Sequence, residues 1–106
     1  MTNVGTPAAI ELIQEVLADR PSTEAELRAL RAQADGWARV LKGRVSAGER
    51  RLREMTADPA SSLAEIAGEL RHVDPLRRQL VETRVLIDRL DERARDLRSG
   101  WVSAHR

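Results

Sequence analysis

The chain has 106 residues, 42% hydrophobic and 33% charged, with 18 basic side chains set against 17 acidic ones. That length allows one small domain, and the net charge of +1 creates no global field to draw the chain onto nucleic acid or membrane. The absence of cysteine excludes disulfides, thiolate nucleophiles and cysteine-ligated metals.

Leu, Ile and Val together number 25, Phe and Tyr are absent, and the many alanines add helix propensity but little core volume. Such a set suits helices packed along narrow seams better than a thick globular core. Met1 to Pro7 lacks the basic stretch and apolar run of a secretory signal. No apolar run approaches the roughly 18 residues of a membrane span, so a cytoplasmic protein without a membrane partner is expected.

Thr6-Pro7 reads as an N-cap followed by proline at the first helical position, where the missing N–H costs nothing. A short helix over about 7–19 follows, with Ile10, Ile13, Val16 and Leu17 on its apolar face, and Pro21 closes it. Thr23 with Glu26 matches a capping box and opens a second helix over about 23–56. Its seam runs through Leu27, Leu30, Ala34, Trp37, Leu41, Val45, Gly48, Leu52 and Met55. Gly43 and Gly48 each weaken it by roughly 1 kcal/mol relative to alanine, and the expected outcome is one continuous helix. The alternatives are a bend there, a close approach of another backbone at Gly48, or a loop over Lys42 to Gly48 that splits the helix in two.

Asp58-Pro59 and Asp74-Pro75 repeat one signal, aspartate as N-cap and proline as first helical residue. The first predicts a turn and a helix over about 60–73. The second predicts a kink or short break, because Pro75 removes a backbone bond and the apolar phase slips there, with a further helix over 75–98. Ser99-Gly100 then ends the helix at a left-handed glycine cap and leaves 99–106 as a flexible tail. The stretches 23–56 and 60–98 each span roughly 50 Å or a little more. Nearly matched lengths joined by a tight turn predict an all-α fold. The chain is expected to form one elongated, coiled-coil-like antiparallel helical hairpin, with a short N-terminal helix and a kink at Pro75.

The clearest periodicity lies in the last helical stretch. Ile66, Val73, Leu80, Ile87, Ala94 and Trp101 fill one heptad position, and Leu76, Leu90 and Leu97 fill the other with Glu69 and Thr83 as polar members. Leu76, Leu80, Thr83, Ile87, Leu90, Leu97 and Trp101 are therefore the candidate interface residues. Leu12, Val81, Val85 and Leu86 lie outside the main seams and ask for cover.

One charge imbalance stands out. Arg39, Lys42, Arg44, Arg50, Arg51 and Arg53 face only Glu49 over residues 39–53. Arginine forks suit phosphate, so Arg39, Lys42, Arg50, Arg51 and Arg53 are candidate phosphate-binding residues. Glu69 and His72 have the three-residue spacing of carboxylate-bridged metal bundles, with Glu65 one turn earlier, but the second copy of that motif is missing. No catalytic residue, metal or cofactor is expected. The leading expectation is a non-enzymatic helical assembly or adaptor protein. It would act through coiled-coil-type contacts with itself or with a larger particle, such as a phage or secretion assembly. The alternative is a small nucleic-acid-binding regulator using the sector 39–53.

Overall fold

The computed structural model describes residues 7–18 and 21–104. Three α-helices make up the fold: α1 (Ala8–Ala18), α2 (Glu24–Ala57) and α3 (Leu63–Ala104). No strand occurs among the described residues, and the all-helical hairpin expected from the heptads is the architecture observed. The expected Thr6 cap, the end of the first helix near Arg20, and His105 lie outside the described residues.

Each helix start has a visible cause. Ile10 N–H donates to the Pro7 carbonyl at 3.0 Å, and Glu26 N–H donates to Thr23 Oγ1 at 3.1 Å, the forward half of the expected capping box. α2 then passes uninterrupted through Gly43 and Gly48. The turn that follows differs from the expected one. Asp58 does not cap α3; its Oδ1 accepts from Ala60 N–H at 2.9 Å and its carbonyl accepts from Ser61 N–H at 3.1 Å. The carboxylate is spent closing an Asx turn. The cap is Ser62, whose Oγ accepts from Glu65 N–H at 3.1 Å, so α3 begins at Leu63 and not at residue 60.

Two further boundaries are corrected. Pro75 lies inside α3, so the expected helices over 60–73 and 75–98 are one. A proline in a helix interior costs about 3 kcal/mol, and burial on both sides offsets it: Val73 and Leu80 are core residues. Pro75 and Arg71 are themselves exposed, which lets water reach the carbonyl that loses its partner. At the far end Gly100 is helical and not a left-handed cap, and α3 continues to Ala104 through most of the expected tail. Glycine weakens a helix interior without forbidding it, and Leu97 and Trp101, four apart, pair along the same face.

The chain forms two compact units. One is Ala38–Glu82, a hairpin made by the second part of α2, the Asp58 turn and the first part of α3. Its core holds Leu41, Val45, Val73 and Leu80. Its helices run antiparallel, since Arg51 Nε donates to Glu69 at 2.9 Å while Arg77, further along α3, reaches back to Glu49 at 3.5 Å. At Gly48 the two helices pack closely: a Cβ placed there would collide with Cγ2 of the fully buried Val73. The close-approach reading of this seam glycine is the one the structure adopts.

The other unit comprises the described residues of 1–37 and 83–106. Ile10, Ile13 and Val16 of α1, Leu27, Leu30 and Ala34 of α2, and Leu86, Ile87 and Leu90 of α3 are buried in it. Leu86 stands beside the α3 seam, where a two-helix coil would expose it. In a three-helix unit it gains cover.

Candidate functional site

Of the seven candidate interface residues, Leu80, Thr83, Ile87 and Leu90 are buried within the chain itself, Leu76 is half-buried, and Leu97 and Trp101 are exposed at 38% and 63%. Thr83 is 3% exposed, and its hydroxyl is not left without a partner. The seam therefore divides. Its middle is buried by the fold, and its last two members are exposed.

The division follows from register. In the unit that contains α1, Arg31 Nε donates to Asp91 at 2.6 Å, and Arg98 Nε lies 3.1 Å from Glu24. Glu24 is the first residue of α2, so α3 beyond Arg98 has outrun its antiparallel neighbour. Trp101 and Val102, the latter at 51% exposure, stand along that overhang and Leu97 at its start, with the pre-helical residues Ser22 and Thr23 opposite. Between them lies an open, mainly apolar cleft of about 420 Å³. Ser22, which lines it, has its Oγ shielded from solvent and without a hydrogen-bond partner among the described residues.

Ion pairs frame this unit. Asp91 accepts from Arg31, which also donates from Nη1 to Asp35 at 3.1 Å. The hydrogen bond to Asp91, followed by the charges of Asp91 and Asp35, holds the Arg31 guanidinium above the usual arginine range.

The candidate phosphate-binding residues also divide. Arg39, Lys42, Arg50, Arg51 and Arg53 are all exposed on α2. Advancing roughly 100° per residue puts Arg39, Lys42, Arg50 and Arg53 on the side opposite Leu41, Val45 and Gly48. Arg51 lies off that side and is held by Glu69. Glu69 is thereby committed to an ion pair, and Glu65 and His72 are exposed. Among the described residues no group of three or more His, Cys, Asp or Glu side chains is placed to hold a metal ion. Likewise, no helix among them is long and apolar enough to cross a membrane.

Sequence reasoning missed the cleft. The apolar residues on one wall were visible as seam members, but Ser22 and Thr23 carried no signal beyond capping. Compared with known proteins, the chain matches no family model, no curated protein and no solved structure.

Proposed function

We propose that the protein is a non-enzymatic helical assembly or adaptor element that docks onto a protein partner, either a second copy or a larger particle, in the cytoplasm. The observation that carries this reading is the solvent-exposed end of the α3 seam. Leu97 and Trp101 continue the heptad of Ile87 and Leu90, yet they face solvent beside an apolar cleft. A partner helix laid along them would extend the coiled coil already built within the chain.

Sedimentation equilibrium at micromolar concentration, combined with a pull-down from the native host, tests the proposal. The intact chain is expected to self-associate or to retain a partner. Leu97→Ser with Trp101→Ala should abolish that association while shifting the thermal melt by only a few degrees, because both side chains are exposed. A monomer that retains nothing would end the reading, as would association untouched by the double substitution.

A further inference from the structure

The outer face of α2 in the Ala38–Glu82 unit is cationic. Lys42, Arg50 and Arg53 are exposed, and among the described residues none of them pairs with a carboxylate. Arg39 extends the stripe by one turn, and Glu54 stands at its edge. The contrast inside one helix pair is informative. The basic residues flanking the seam are matched, Arg51 to Glu69 and Arg77 to Glu49. Lys42, Arg50 and Arg53, pointing away from it, keep their full charge.

We infer that this stripe of Arg39, Lys42, Arg50 and Arg53 binds the phosphate backbone of double-stranded nucleic acid without reading its sequence. Residues 39 to 53 cover about 21 Å of helix, long enough to meet several successive phosphates. Gly43 and Ser46 lie between the cations, so no bulky side chain holds the backbone off. Arginine forks supply bidentate contacts to phosphate oxygens. No aromatic residue shares the face, which removes the stacking platform a single strand would need. A membrane surface fits less well, because an interfacial helix must present an apolar face to lipid, and the apolar side of this segment is buried in its own unit. This inference uses a different surface from the α3 cleft and stands or falls apart from it.

Fluorescence anisotropy of the full chain against a labelled DNA duplex of arbitrary sequence tests the inference. Three to four phosphate contacts predict that affinity drops roughly 40- to 150-fold between about 50 and 200 mM salt. Replacing Lys42, Arg50 and Arg53 by Gln should weaken binding at least about tenfold at the lower salt and flatten the log–log salt slope by about three. The triple variant Arg78→Gln, Arg89→Gln, Arg95→Gln removes the same charge from exposed positions of α3 and should change affinity less than about threefold. Arg50→Lys with Arg53→Lys keeps the charge and should keep the slope, which separates electrostatics from misfolding. The inference is overturned by no binding at about 50 mM salt, or by equal losses in the two glutamine triples. Binding of polyglutamate or anionic vesicles as tight as that of DNA, through the same residues, would overturn it too.

Discussion

Two glycines five residues apart in α2 carry opposite expectations. A side chain at Gly43 would meet nothing within 4 Å, whereas one at Gly48 would meet Val73, which is fully buried and has nowhere to move. Gly43→Ala should therefore stabilise the chain by about 0.5–1 kcal/mol through helix propensity alone. Gly48→Ala makes the same propensity gain but overpacks the seam, so a net loss of about 1–3 kcal/mol is expected. Urea melts of the two variants check this, and shifts of the same sign would mean that the helices at Gly48 are not held close. The seam position of Gly48 was legible in the periodicity. The identity of its neighbour was not, because a heptad assigns a residue to a face without saying what lies across from it.

At the scale of the element, α3 is where local signals and tertiary packing compete. Asp58-Pro59, Asp74-Pro75 and Ser99-Gly100 all resemble boundaries, and none of them bounds α3. Asp58 is diverted into its own turn, Pro75 is overridden by the core residues around it, and Gly100 has no left-handed backbone to enforce a stop. The true start was written as Ser62-Leu63-Ala64-Glu65, a capping-box spacing hidden behind the stronger-looking Asp-Pro. Heptad periodicity survived these ambiguities because it sums over many residues. It identified Leu80, Ile87 and Leu90 as core, and all three are buried. Ile87→Ala should accordingly cost on the order of 2–5 kcal/mol, since the cavity it leaves is lined by packed helices. Arg89→Ala, at an exposed position of the same turn, should cost less than about 0.5 kcal/mol. Equal effects in denaturant melts would contradict the packing described for α3.

For the molecule as a whole, the sequence made the helical class and the seams readable but not how each seam is covered. Leu90 and Leu97 occupy the same heptad position, yet one is buried and the other faces a cleft, because α2 begins at Glu24. That difference depends on antiparallel register, which is set by the Arg31–Asp91 and Arg98–Glu24 pairs between residues far apart in the chain. The cationic residues show the same limit. Composition placed them together, and only the fold separated Arg51, neutralised by Glu69, from the stripe on the outer face.

The two units also differ in how the chain must be threaded to make them. Ala38–Glu82 is one continuous segment folded about the Asp58 turn, so its contacts close short loops. The other unit joins residues before Ala38 to residues after Glu82, and its contacts wait on a much longer closure. The hairpin is therefore the expected folding nucleus. In stopped-flow refolding, Gly48→Ala should act mainly by slowing folding, while Ile87→Ala should act mainly by speeding unfolding. The reverse partition would place the nucleus in the unit that contains α1. A glycine that permits close packing would then govern how quickly the native state is reached, and an isoleucine in the other unit would govern how long it lasts.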